Sequence, residues 1–257
     1  MAFDPESIAR AMEKELRRVA TKERAVQEKK YLKSEIEHLG ANVGQTRGLV
    51  KRFKRENRQL DRASLLALAA TLWAEPIFER RAVAGFLLEA YAGLLTPDDL
   101  PFIEQLLRES KTWALVDLLA PSVAGEIIEA HPKAGRILDR WSKDADFWIR
   151  RSSMLALQNR LRRGEAFDQF ARYADAMLEE KEFFIRKVIG WMLRETSKKR
   201  PDLVHAFMKP RAARASGVTW REAVKYLSPS QRREIEGLAK AVTKKPAKKK
   251  PAAKRQK

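Results

Sequence analysis

Apolar positions recur at three- and four-residue intervals along most of the chain, the signature of helices with one buried face. Near the start, Asp4-Pro5 supplies an N-cap and a first-turn proline, and Ile8, Met12, Leu16 and Val19 follow at helical spacing. Residues 5–40 therefore read as two helices. The stretch 38–48, HLGANVGQTRG, interrupts the pattern. Its glycines at 40, 44 and 48 lack the Gly-Lys-Ser/Thr and the preceding strand of a phosphate loop, so the stretch reads as an inter-helix turn. Residues 64–74, SLLALAATLWA, predict a strongly apolar helix capped by Ser64.

The middle of the chain repeats itself. DFWIRRSSMLAL from Asp146 aligns with EFFIRKVIGWML from Glu182 at an offset of 36 residues. Phe147/Phe183, Ile149/Ile185, Arg150/Arg186 and Leu157/Leu193 are identical, and Arg151/Lys187 keeps the charge. A step of 34 residues back sets Asp117 opposite Arg151, and a further 36 sets Arg81 there, in IFERRAVAGFLL. Second helices such as DDLPFIEQLLRE and QFARYADAMLEE lie between. The unit is a helical hairpin of about 35 residues, and an all-helical period of that length predicts HEAT-like hairpins stacked into a curved solenoid with a concave face. A last short unit, 218–242, is expected to cap the stack. The expected organisation is one repeat domain over 1–242 and a disordered Lys-rich tail over 243–257.

Composition narrows the partner. The net charge is +19; residues 240–257 hold nine Lys or Arg and no acid, which leaves +10 on the rest. A basic body beneath a basic tail points to a polyanion, nucleic acid first. There is no cysteine, so disulfides, thiolate catalysis and Cys-held metals are excluded. His38, His131 and His205 are far apart with no HxxxH or HxD pattern; they read as surface or turn histidines, and no metal site and no cofactor are expected. No apolar run is long enough for a transmembrane span and the N-terminus has no apolar signal region, so a cytoplasmic protein with no membrane partner is expected, acting as a monomer.

The repeat register also selects candidate chemistry. Trp113 lies four residues before Asp117, and Trp191 four after Lys187. Residues four apart share a helix face. Trp113, Asp117, Arg151 and Trp191 are therefore expected on one side of consecutive repeats: two indoles, a carboxylate and a guanidinium. Singly, each reads as core or as a surface ion pair; together they read as a site. Arg80, Arg81, Arg150, Arg186 and Lys187, near helix starts, are the expected docking residues for the polyanion. The cluster Lys51, Arg52, Lys54 and Arg55 is a further candidate whose members the sequence does not rank.

The segments KTWALVDLLAP, FWIRRSSMLALQ, EFFIRKVIGWMLRE and LWAEPIFERRAVAGFLL, over roughly residues 5–228, resemble the bacterial DNA alkylation repair glycosylases with HEAT-like repeats. That resemblance implies an active site of Trp113, Asp117, Arg151 and Trp191, and an activity: hydrolysis of the N-glycosidic bond of cationic 3- and 7-alkylpurines in duplex DNA. Asp117 would be the catalytic carboxylate, Trp113 and Trp191 would hold the charged nucleotide, and Arg151 would grip a flanking phosphate. Two departures stand out. Thr112 occupies a position that is often aromatic in the family, and the tail beyond Val242 is not part of the pattern. The alternative reading is a non-catalytic HEAT-like scaffold that binds nucleic acid or protein, which would need none of the four-residue set.

Overall fold

A computed structural model describes residues 3–243. It is all helical; among the described residues there is no strand, only an isolated parallel bridge between Glu37 and Ile77. The helices run α1 (Pro5–Val19), α2 (Lys22–Leu32), α3 (Val43–Glu56), α4 (Arg62–Ala74), α5 (Phe78–Ala90), α6 (Leu100–Glu109), α7 (Trp113–Leu119), α8 (Gly125–Ala130), α9 (Ile137–Trp141), α10 (Phe147–Leu155), α11 (Gln158–Arg162), α12 (Phe167–Ala176), α13 (Phe183–Ser197), α14 (Pro201–Met208), α15 (Gly217–Ala223) and α16 (Pro229–Thr243). The chain divides into two compact units, 1–173 and 174–257. The expected 1–242 domain covers most of both. Thr243 still belongs to α16, and the rest of the expected disordered tail lies outside the described residues.

Local signals place the early helices. The Asp4 side chain accepts from the backbone N–H of Glu6 and Ser7 and starts α1 as expected. The turn after α2 is shorter than the sequence pattern suggests. Asn42 caps α3 in a capping box with Gln45, so Gly44 and Gly48 are helical and only Gly40 serves the turn. Gly40 has φ +99, and a Cβ there would lie 2.0 Å from the Thr21 carbonyl oxygen, so no other residue fits. The cap of α4 is Asp61, not Ser64, whose N–H donates to the Asp61 carboxylate at 2.8 Å.

In the first unit, α4 packs on α5 and α1, α5 on α3 and α7, and α10 on α6, α7 and α9. Leu65, Leu68, Leu72, Leu87, Ile103, Leu107, Leu115 and Ile149 are buried between them. In the second unit α13 packs closely on α14 and α15. A Cβ on Gly190 of α13 would come within 2.9 Å of the Thr219 carbonyl, which sets how near α15 can lie.

The repeat period is also visible in the polar bonds. Arg62 reaches Asp99, Trp73 reaches Glu109, Arg140 reaches Glu104 and Arg108 reaches Asp144, all across 36 or 37 residues. In the second unit Arg211 reaches Asp175 across 36 and Lys187 reaches Glu222 across 35. Equivalent positions of neighbouring hairpins are adjacent in space, as stacking at a fixed period requires.

Candidate active site

Helix α7 carries Trp113 in its first turn and Asp117 one turn later, on the same face. Its helical pattern then widens into a π-type turn over Ala120–Ala124. Pro121 has no N–H to continue the ladder, so a local change of pitch is the natural outcome, and such turns concentrate at functional sites.

The Asp117 carboxylate is met by Arg151 of α10 in a two-point pair: Nε donates to Oδ1 and Nη2 to Oδ2, both at 2.8 Å. Arg151 is only 2% exposed. Burial pushes the Asp117 carboxyl above the ordinary aspartate range, and the Arg151 guanidinium offsets this only in part. Arg151, expected to grip a flanking phosphate, meets the Asp117 carboxylate here. Its guanidinium is buried and aligned on the carboxylate, so it fixes the orientation of Asp117.

Asp117 and Trp113 line a mainly apolar cavity of about 380 Å³ in the first unit. Its other walls come from α2 (Glu28, Tyr31), α3 (Val43, Arg47), α5 (Phe78, Phe86) and Ser122. The exposed Tyr31 ring meets Trp113 edge to face, with centroids 5.7 Å apart. The sequence pattern did not single out Tyr31, because nothing in its spacing links α2 to α7. Thr112 is part of that link: it is buried and its hydroxyl donates to the Leu32 carbonyl at 3.1 Å.

The remaining expected site residues are placed as follows. Trp113, Asp117 and Arg151 come together in the first unit. Trp191, Arg186 and Lys187 lie half-buried on α13 of the second unit. The Lys187 ammonium pairs with Glu222 at 2.9 Å. Glu222 is partly buried, yet hydrogen bonds from Lys187 and Lys225 hold its carboxyl down at about 2. The Arg186 Nε donates to the Glu180 carbonyl, and Arg150 Nη1 donates to the Asp144 and Ala145 carbonyls. Arg80 and Arg81 depart furthest from the expected docking role, since both are buried. Arg80 donates to the Thr71 and Leu72 carbonyls and pairs with Glu13; Arg81 donates to the Trp73 and Glu109 carbonyls. A helix end leaves carbonyls without N–H partners, and a guanidinium carries enough donors to satisfy several. Arg80 caps α4, and Arg81 caps both α4 and α6.

An exposed basic face does exist on α3 and the turn after it. Arg47, Lys51, Lys54, Arg55 and Arg58 are all exposed and follow one another at helical spacing. Arg47 also lines the cavity, and Lys51, Lys54, Arg55 and Arg58 line a groove with Tyr91. Arg52 is exposed as well; it pairs with Glu15 of α1, as Arg47 pairs with Glu89 of α5.

His38 is not a surface histidine. It is buried in the turn between α2 and α3, its ring stacked on Phe78 with centroids 4.5 Å apart. Burial lowers its pKa to about 4, with Lys29 adding to the effect. Beside the cavity, His38, Glu28 and Glu79 each bring a donor atom within 4.8 Å of the others.

No helix among the described residues is long and apolar enough to cross a membrane. The chain is similar in fold to two solved structures. One is described as a predicted DNA alkylation repair enzyme from Enterococcus faecalis, with 22% identity and a TM-score of 0.74 over 82% of this chain and 97% of that one. The other is AlkD2 from Streptococcus mutans, with 20% identity and a TM-score of 0.63 over 88% of this chain and 100% of that one. No curated protein matches it. The sequence model of one family, described as DNA alkylation repair enzyme, matches residues 12–227, which takes in every helix from α2 to α15 and most of α1. The chain belongs to the DNA alkylation repair enzyme family.

Proposed function

We propose that this protein is a monofunctional DNA glycosylase that hydrolyses the N-glycosidic bond of cationic 3- and 7-alkylpurines in duplex DNA. One observation carries the reading: a buried, two-point Arg151 pair aims the Asp117 carboxylate at a cavity walled by Trp113 and Tyr31.

A purine alkylated at position 3 or 7 is positively charged, so it leaves as a neutral base and needs little help from an acid. The positive charge moves to the deoxyribose as the bond breaks. Asp117 faces that charge and orients the attacking water. A carboxylate at about 4 Å is worth roughly 4 kcal/mol at an effective dielectric of about 20. Arg151 is the positioning residue: it holds both carboxylate oxygens and keeps the geometry the same before and during the reaction. The Trp113 face attracts the cationic nucleotide by roughly 0.5–2 kcal/mol. Trp191 has the same part by resemblance and is tested by its own variant. The exposed basic face of α3 supplies sequence-independent phosphate contacts, which position the duplex without reading bases. DNA of this kind is the partner, bound by a single copy of the chain.

The test is single-turnover base release from duplexes that carry one lesion each. Release of 3-methyladenine and 7-methylguanine, with little release of uracil or 8-oxoguanine, is expected. Equal rates on uracil and 7-methylguanine would refute the charge-based mechanism. No release of any base would favour the non-catalytic scaffold.

A further inference from the structure

We propose that Glu28, His38 and Glu79 form a binding site for one divalent transition cation of the zinc type, set in the wall of the cavity. The three residues come from α2, the turn before α3, and α5, and their donor atoms all lie within 4.8 Å of one another.

The polar accounting of the first unit singles out this place. Buried polar atoms in folded proteins almost always have a partner. Among the described residues six buried side-chain atoms lack one, and three of the six are here: both ring nitrogens of His38 and Oε2 of Glu28. His38 is 8% exposed, and its stack on Phe78, at an interplanar angle of 6°, fixes the ring plane. An apolar ring would keep that stack with no unsatisfied atoms. The imidazole adds only donor chemistry.

Glu79 is held as a ligating carboxylate is usually held, by hydrogen bonds behind it. Oε1 accepts from the N–H of Gly40 and Ala41, at 2.6 and 3.2 Å, and Oε2 accepts from Leu39 at 2.9 Å. Oε2 therefore keeps a lone pair for a metal. The loop that orients it is itself fixed by Gly40. Glu28 pairs through Oε1 with Arg24 at 3.3 Å, which leaves its buried Oε2 for the ion. The set is one imidazole and two carboxylates, a combination that suits zinc and its neighbours better than calcium or magnesium. Zinc bonds of about 2.0–2.2 Å need donors about 3.5 Å apart, so the site closes by small side-chain movements. Glu28 and Phe78 also line the cavity, which gives an ion an entry path and room for water on its open side. A bound ion would tie α2, the turn and α5 together and stiffen the cavity wall.

The proposal does not depend on glycosylase activity and is tested without DNA. The full chain is stripped with EDTA and titrated with Zn²⁺ by calorimetry, and with Co²⁺ by visible absorption. Saturable binding of one Zn²⁺ per chain is expected, with a rise in melting temperature and a Co²⁺ d–d band. His38→Phe keeps the stack, and it should lose about 100-fold or more in affinity along with the thermal shift. Glu28→Gln should weaken binding in the same direction. His205 pairs with Glu234 in the second unit and is the alternative surface ligand; His205→Asn should leave binding unchanged. Absence of one-to-one binding up to about 100 µM Zn²⁺, or equal affinity in the wild type and His38→Phe, would overturn the site. So would loss of binding in His205→Asn. If His38→Phe does not fold, Glu28→Gln and the wild-type Co²⁺ band decide the question.

Discussion

Two carboxylates in the first unit, Glu104 and Asp117, each meet arginine from the following hairpin, yet their acidities shift in opposite directions. Glu104 accepts from Arg108, Arg140 and the Trp141 indole. It is largely buried, but those donors outweigh burial and hold its carboxyl at about 2. Neighbouring Asp144 is also held at about 2, chiefly by its hydrogen bonds from Arg108. Among the described residues Asp117 meets only Arg151, and burial wins. On the proposed function, the contrast separates a carboxylate that holds the fold from one that reacts. The first is satisfied on every side. The second has a guanidinium behind it and a cavity in front, so part of its charge is left for a ligand.

The largest effect should come from removing that charge. Asp117→Asn is expected to slow single-turnover excision of 7-methylguanine by about two to three orders of magnitude, a loss of roughly 3–4 kcal/mol. DNA affinity by anisotropy should stay the same or rise slightly. Glu104→Gln should leave the excision rate constant unchanged. A rate loss in Glu104→Gln as large as in Asp117→Asn would erase the distinction.

Removing the cation behind Asp117 should show chiefly in stability. Arg151→Met leaves a buried carboxyl with no counter-charge, which costs about 3 kcal/mol in urea unfolding. The loss sits at the low end of the usual range because Asp117 can take up a proton. Its pH dependence is diagnostic: the variant should recover stability as the pH falls and the carboxyl becomes neutral. An unfolding free energy equal to wild type at neutral pH would mean that the pair contributes nothing to the fold.

The two carboxylates should also respond oppositely to acid. The folded-state pKa of Glu104 is depressed from 4.5 to about 2, so its stabilisation is present above pH 4.5 and is lost as the pH falls toward 2. The amount is on the order of 2 kcal/mol, discounted because Arg140 is largely in solvent. Asp117 has a raised folded-state pKa, so its contribution is greatest at low pH and is lost as the pH rises through that value. Unfolding curves of wild type against Glu104→Gln and against Asp117→Asn should therefore diverge in opposite directions with pH. Because the proposed mechanism needs ionised Asp117, the excision rate should fall in acid, with the limb above the ordinary aspartate range. Two divergences of the same sign would refute the assignment.

The smallest effect concerns the indoles. Trp141 is fully buried and bonded to Glu104, whereas Trp113 is half-buried on the cavity wall. Trp113→Leu is expected to cost about 0.5–2 kcal/mol in binding of a cationic lesion, with stability little changed. Trp141→Phe should do the reverse, lowering stability by about 1–3 kcal/mol while excision per folded molecule stays the same. Trp191→Leu should follow Trp113→Leu, in line with the part the resemblance gives it.

Much of this was readable from the chain. Helical periodicity and the 34–36-residue repeat predict an all-helical stack, because an amphipathic hairpin can bury its apolar face only against a like neighbour. The same register sets Asp117 opposite Arg151, and the two are indeed paired, because positions one period apart are adjacent in space. Tertiary structure decided what each charge does. Arg80 and Arg81 look like docking residues in one dimension but turn inward, since a long guanidinium side chain reaches helix-end carbonyls that only packing brings near. Tyr31 joins Trp113, and Glu28, His38 and Glu79 meet, because a loop folds back between α2 and α5; these residues lie 10 to 82 positions apart with no period to connect them. Repetition along the chain encodes which helices stack. The direction of a side chain, and therefore its chemistry, depends on the unsatisfied groups that stacking leaves within its reach.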